Sequence, residues 1–346
     1  MAKKPLFMGG GSSKVSVDIS SIDAPYDYIL KNADGIQCDY IPIMNDGLID
    51  EGISKCIGHC CDEKYDAVIC FVGNNYGPDC ETECFDRDNL KLPNYLSAVL
   101  SNGIAAIDNF VIVTQFGSAV IPSGWENAKA IVQMWYTGEA CGKAVADVLF
   151  GKVNPSGQLA ETFMLKDRSD IDYPGDGIKV CYNERWNCGY RYYDKHPEEI
   201  WFPFGHGLSY TSFEYSDLKL SENRFNTDNF EFEVSVKIKN IGSVAGKEVV
   251  QLYISPEDSV VDRPFKVLKL FAKIMLMTGE EKTVYFNLEA YDFSYYNTCL
   301  HRWHVESVRY GILNGASSRD IRLKKEIGVA YDKDYTVLKY GGSMIL

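Results

Sequence analysis

Residues 73–93 hold the densest set of groups in the chain that could do chemistry. The stretch carries Asp79, Glu81, Glu83, Asp86 and Asp88, with Arg87 as the positive partner set between two of them. A carboxyl among other carboxylates is pushed towards its protonated form, and a neighbouring guanidinium pulls it back. A group tuned in this way can act as a general acid and then as a general base. The same density is also what a solvated loop carries, so its position in the fold has to decide. Cys84, in the same stretch, lacks the His–Asp partner pattern of an activated thiol.

The elements around the stretch supply that position. Ala67–Val72 is short, apolar and rich in β-branched residues, and it runs into Gly73, which predicts a buried strand. A helix is expected from about Pro93 through Leu100, with Asp88–Asn89 as its cap. In an α/β sheet, ligands are met at the loop leaving the carboxyl end of a strand. Further strands are expected at 39–43, 111–115 and 130–135, with helices at 25–31, 49–62 and 140–150. Strands alternating with helices imply a mostly parallel sheet with helices on both faces, an α/β sandwich spanning residues 1–165. Gly9–Gly11 is not a phosphate loop, since it lacks the lysine directly after its last glycine and no strand and helix flank it.

From residue 213 the period changes. Phe230, Phe232, Val234, Val236 and Ile238 alternate with polar residues, the pattern of a half-buried antiparallel strand. With runs at 249–254, 269–275, 283–288, 301–306, 310–313 and 321–327, about seven strands form an all-β, immunoglobulin-like sandwich over 213–330. Residues 166–212, rich in Asp, Tyr, Gly and Pro, are expected to pack on both domains, and 331–346 form a tail.

Composition narrows the functions. The 346 residues are 46% hydrophobic and 24% charged, which is ordinary for a globular protein of two domains. A formal charge of −13 argues against nucleic acid or an anionic membrane as partner and is compatible with a neutral ligand such as a sugar. No run approaches the roughly 18 apolar residues of a membrane span, and the N-terminal apolar stretch is too short for a signal peptide. Eleven scattered cysteines, with Cys56, Cys60 and Cys61 beside His59, have no zinc spacing. They read as reduced, mostly buried thiols of a cytoplasmic protein, with no metal and no cofactor.

Several segments, taken together and in order, resemble family 3 glycoside hydrolases of the β-glucosidase type. They are Glu81–Arg87 with Leu90–Pro93, Asn154–Leu159 with Thr162–Phe163, Gly189–Asp194 and Phe202–Thr211. Gly246–Tyr253 and Gly315–Ile321 resemble the fibronectin type III-like domain of such enzymes. The resemblance implies a retaining β-glycosidase whose site is shared by two domains: a (β/α)8 barrel carries an aspartate nucleophile, and the α/β sandwich carries the acid/base. By position in the motif that acid/base is Glu83, and Asp86 and Arg87 would support its loop by pairing with each other. Cys84 and Phe85 stand where the family has Gly-Tyr.

Nothing in the chain resembles the barrel's nucleophile segment. The expectation is therefore a C-terminal portion lacking the barrel and the first strand of the sandwich. Such a portion would depend on a separate barrel chain or self-associate. The alternative is a non-catalytic carbohydrate- or protein-binding remnant. Ser12, Ser13 and Trp186 are candidate substrate contacts. Trp135 is read as a core residue of a strand, and His206, between two glycines, as structural.

Overall fold

The computed structural model describes residues 1–13, 15–43, 49–73, 87, 89–168, 170–171, 178–222, 224–225, 231–330 and 333–335. The chain divides into two compact units. The first comprises Met1–Val153, Phe163–Ser169 and Glu199–Phe202; the second comprises Asn154–Thr162, Asp170–Glu198 and Pro203–Leu346.

In the first unit, helices α1 (Pro25–Asn32) and α2 (Ile49–Glu63) precede strand β1 (Val68–Gly73). Helix α3 (Asn94–Ala106), strands β2 (Phe110–Gln115) and β3 (Ala130–Gln133), and helix α4 (Cys141–Leu149) follow. The three strands pair in parallel in the order β1–β2–β3, with Phe71 opposite Val113 and Val113 opposite Val132. Alternation along each strand sends one set of side chains to each face. Ile69, Phe71, Val113 and Val132 meet Cys141 and Val145 of α4. The opposite set includes Phe110, whose ring lies so close to Gly103 of α3 that only glycine fits there. Helices thus cover both faces, as the apolar runs require. Burying Leu96, Val99 and Leu100 on the α3 side contributes about 1.5–3 kcal/mol per side chain.

A short antiparallel pair, β4 (Phe163–Met164) with β5 (Ile200–Phe202), completes this unit. Two strand expectations are corrected. Residues 39–43 form no ladder: Pro42 has no N–H to give, and Tyr40 instead takes the Lys3 ammonium over its ring, 3.8 Å from the centroid. The third strand ends at Gln133, and Trp135 lies beyond it, half-buried in a left-handed conformation (φ 57°), its ring edge-on to Phe163.

The second unit contains the single-turn helix α5 (Tyr190–Tyr193) and strands β6 (Phe213–Leu220), β7 (Arg224–Phe225), β8 (Glu231–Asn240), β9 (Gly246–Pro256), β10 (Val267–Leu276) and β11 (Glu281–Glu289). Strands β12 (Tyr295–Asn297), β13 (Arg302–Val305), β14 (Arg309–Gly315), β15 (Ile321–Val329) and β16 (Lys333–Tyr335) follow. A five-stranded sheet (β10–β9–β14–β15–β7) and a three-stranded one (β11–β8–β6) enclose Phe232, Val234, Val236, Ile238, Val250, Leu252, Ile254 and Phe293. A small sheet (β12–β13–β16) has its own ladder and adds Val305 of β13 to the same core. Each long run expected from the sequence is a strand. Strand β6 went unread because a register shift between Ser216 and Lys219, with Asp217 at φ 51°, breaks its alternation.

Candidate active-site loop and its supports

The carboxyl ends of β1, β2 and β3 define one end of the first sheet. Gly73 closes β1 opposite Gln115, and a Cβ there would lie 2.5 Å from the Gln115 carbonyl and 2.7 Å from Met1 Sδ. The N-terminal segment crosses this end. Leu6 N donates to Gln115 Oε1 (3.1 Å), and Gly138 N, past β3, donates to Phe7 O (2.9 Å). Since the Gln115 carbonyl belongs to a paired strand, it cannot yield to a methyl group. Gly73→Ala is expected to destabilise the unit by about 1–3 kcal/mol, read as a lower urea midpoint at unchanged m-value.

The carboxylate-rich stretch begins where β1 ends. Glu83, Asp86 and all the other residues between Gly73 and Arg87 lie outside the described residues, as does Asp88. Arg87 is described, and it is half-buried. Its Nη2 donates to Ser118 Oγ (2.8 Å) and to Ala119 O (3.1 Å), both in the segment leaving β2. Beside it Ile121 N donates to Leu90 O (2.8 Å), and Lys91 bridges to Ile121 in parallel. The residues after the acidic stretch are therefore tied to the segment after the neighbouring strand.

The expected helix cap is corrected. Pro93 stands at the N-cap of α3 with no side-chain cap bond, and Asn89 Oδ1 accepts from Lys91 N (2.9 Å) in a local turn. Charge-assisted hydrogen bonds such as those of Arg87 are worth about 1.5–3 kcal/mol. Arg87→Ala is accordingly expected to raise amide exchange in the peptide around Leu90–Leu92 about tenfold or more, read by hydrogen-exchange mass spectrometry.

Ser12 is exposed on a single 3₁₀ turn, Gly11–Ser13, which also carries Ser13. Both belong with Arg87 to the first unit, and Trp186 belongs to the second. Trp186 is half-buried under the Arg185 guanidinium (4.3 Å to the ring), and its Nε1 is buried with no hydrogen-bond acceptor among the described residues. Arg185 itself is left-handed, at φ 54°. Trp125 is 1% exposed and sits edge-on to Trp201 (4.9 Å), so it has no face for a sugar.

The remaining sequence motifs meet within the second unit as a support. Gly205, at φ 81°, leaves room for Gln251, whose amide would lie 2.6 Å from a Cβ at that position. Gln251 Nε2 donates to Ala316 O (2.8 Å), and Ser318 N donates to Phe204 O (2.9 Å). Tyr190 stacks on Phe204 (5.0 Å) and lies edge-on to Tyr253 (6.0 Å). Burial pulls the His206 imidazole below its usual range, favouring the neutral ring. The cysteines are corrected in part. Of the nine free thiols among the described residues, Cys60, Cys70 and Cys141 are buried, while Cys61, Cys188 and Cys299 are exposed. Burial pushes Cys60 to about 11 and Cys70 to about 12, which leaves both as inert thiols at neutral pH. No described helix is long and apolar enough to cross a membrane.

A parallel α/β unit followed by a fibronectin-type sandwich is a two-part assembly with known counterparts. Residues 1–210 match the glycosyl hydrolase family 3 C-terminal domain, and residues 248–318 match the fibronectin type III-like domain. The chain belongs to glycosyl hydrolase family 3.

It is 42% identical over 334 residues to the thermostable beta-glucosidase B of Acetivibrio thermocellus, covering 94% of this chain and 43% of that one. It is 36% identical over 345 residues to an exo-alpha-(1->6)-L-arabinopyranosidase of Bifidobacterium longum, covering 96% and 43%. Among solved structures, the beta-glucosidase of Kluyveromyces marxianus in complex with glucose superposes with a TM-score of 0.77 at 39% identity, covering 84% of this chain and 34% of that one. The GH3 beta-glucosidase of Bifidobacterium adolescentis gives a TM-score of 0.84 at 30% identity, covering 95% and 48%. The chain thus spans less than half the length of these relatives.

Proposed function

We propose that the chain supplies the acid/base half of a retaining β-glycosidase site, with Glu83 as the general acid/base and Asp86 and Arg87 supporting its loop. What carries the reading is the origin of the acidic stretch at the carboxyl end of β1, with Arg87 tied to the segment leaving β2. Two strands of a parallel sheet then brace one loop at the end where ligands are met. Retention needs a second carboxylate, the nucleophile, about 5–5.5 Å from the first. The motif resemblance assigns that group to a barrel, whether in a separate chain or in the same one.

Relatives of similar identity are named for β-glucosidase and for arabinopyranosidase activity. That divergence supports a sugar choice made largely outside the portion they share with this chain, with Ser12, Ser13 and Trp186 as candidate contacts. The free thiols support a reducing, cytoplasmic setting.

The 346-residue polypeptide alone is expected to give no saturable hydrolysis of an aryl β-glucoside. Adding or fusing a family 3 barrel should give turnover that Glu83→Gln abolishes. Turnover by the chain alone would overturn the two-part reading. Sugar binding without turnover after barrel addition would favour a non-catalytic binding module.

A further inference from the structure

We propose that Tyr291, Tyr296 and Trp303 form a binding surface in the second unit for an oligosaccharide of all-equatorial pyranoses, such as a β-glucan chain. The surface is independent of the glycosidase reading, since all three residues lie outside the α/β unit that carries Glu83.

The small sheet builds it. Tyr296 of β12 stands opposite Trp303 of β13, and Trp303 stands opposite Tyr335 of β16 in backbone register. One aromatic residue from each strand thus falls in a single row across the sheet. With neighbouring strands about 4.8 Å apart, the row runs about 10 Å, longer than one sugar ring. The turn after β12 is pinned by Asn297 Oδ1, which accepts from Cys299 N (3.0 Å) and Leu300 N (3.1 Å). The rings themselves meet. That of Tyr296 lies 5.7 Å from Trp303 at 78°, and that of Tyr291, from the 3₁₀ turn Ala290–Phe293, lies 4.8 Å from it at 70°. Rings at such angles make a cornered cradle and no flat plate, which suits a single soluble chain better than a crystalline surface.

Packing does not account for the cluster. Val305 shares a strand face with Trp303 and is buried in the sandwich core with Phe293. Trp303, two residues earlier, lies outside that core and is half-buried, while Tyr291 and Tyr296 are 43% and 48% exposed. On the opposite face the aromatic pair is engaged within the unit. Tyr295 lies edge-on to His304 (5.5 Å) and has the Arg263 guanidinium over its ring (5.2 Å).

Size and chemistry select the occupant. Three aromatic side chains, each about half exposed, offer about 300 Å². A stable protein interface takes about 800 Å² a side, so the surface fits a small ligand. An aromatic face is negative and meets C–H bonds well. A pyranose with only equatorial hydroxyls turns axial C–H bonds to each face, so it stacks without stranding a hydroxyl. The tyrosine hydroxyls and the Trp303 indole N–H supply the polar contacts that its rim needs. A saccharide is also the ligand in keeping with a chain of glycosyl hydrolase family 3.

Isothermal titration calorimetry of the full chain with cellopentaose tests the surface. The comparison is a β-1,4-galactan pentamer, which carries an axial hydroxyl over one face of every ring. Saturable binding of cellopentaose is expected, about tenfold tighter than of the galactan, since an unpaired hydroxyl is costly. Trp303→Ala should weaken it about tenfold or more, and Tyr296→Ala about threefold or more. Trp303→Phe, which keeps a ring, should recover part of the loss. Tyr296 is exposed, so its variant decides the matter if Trp303→Ala does not fold. Glu83→Gln should leave the affinity unchanged, which separates this surface from the glycosidase site. No saturable binding, equal affinity for the galactan, unchanged affinity in the folded variants, or affinity lost with Glu83→Gln would overturn the proposal.

Discussion

With a family 3 barrel present, Glu83→Ala is expected to slow hydrolysis of an alkyl β-glucoside by about 10²–10⁴, the usual worth of general acid–base assistance. A dinitrophenyl glucoside should be far less affected in its first step, because that leaving group departs without a proton. The second step still lacks its base, so a glycosyl-enzyme should accumulate. Azide, which needs no deprotonation, should then restore turnover and yield a β-glycosyl azide. Glu81→Ala should display neither behaviour, since a neighbour that only tunes the acid shifts the pH profile without changing leaving-group dependence. Rescue of Glu81→Ala in place of Glu83→Ala would move the role along the loop. If neither substitution alters leaving-group dependence, the loop does not carry the chemistry.

The parts of the fold that sequence made legible are those where one physical signal dominates. Ala67–Val72 reads as a strand because a doubly covered parallel strand must be apolar on both faces, and β1 is found there. Phe232 to Ile238 reads as a half-buried strand because its period is two, and β8 buries that set. Where a local signal competes with context, reading fails. Residues 39–43 look like a strand by composition, but Pro42 removes a ladder donor and Tyr40 engages Lys3. Trp135 continues an apolar run, yet its left-handed backbone ends the strand before it.

The candidate site is proposed from motif position, and Glu83 itself lies outside the described residues. Its supports were not legible in the sequence, because they depend on partners far along the chain. Nothing near Arg87 in sequence points to Ser118 and Ala119, more than 30 residues on. Likewise Gly205, Gln251, Ala316 and Tyr190 come from separate motifs, and their common role in one support exists only in the folded second unit.

Asp194, the last residue of the Gly189–Asp194 motif, illustrates the same point and carries the largest stability effect expected in the second unit. Its carboxylate pairs with Lys266, just ahead of β10, and the two side chains are only 2% and 4% exposed. Burial drives the Asp194 carboxyl up and the Lys266 amine down, and in each group the mutual attraction opposes the shift. Removing one partner of such a pair strands a charge, so Lys266→Met is expected to cost about 3–5 kcal/mol at neutral pH. Replacing both, as Lys266→Met with Asp194→Leu, should recover most of that loss, because a well-packed apolar pair has no desolvation to offset. The pH dependence gives an independent check. Without Lys266 the folded-state pKa of Asp194 rises further above its unfolded value, so the folded form binds the extra proton. The stability of the single variant should therefore be highest below the unfolded carboxylate value of about 3.9 and fall as pH rises towards neutrality. Urea unfolding of the two single variants and the double variant at about pH 4 and about pH 7 measures both effects. A loss below about 1 kcal/mol that is the same at both pH values would mean that the pair is hydrated and contributes like a surface ion pair.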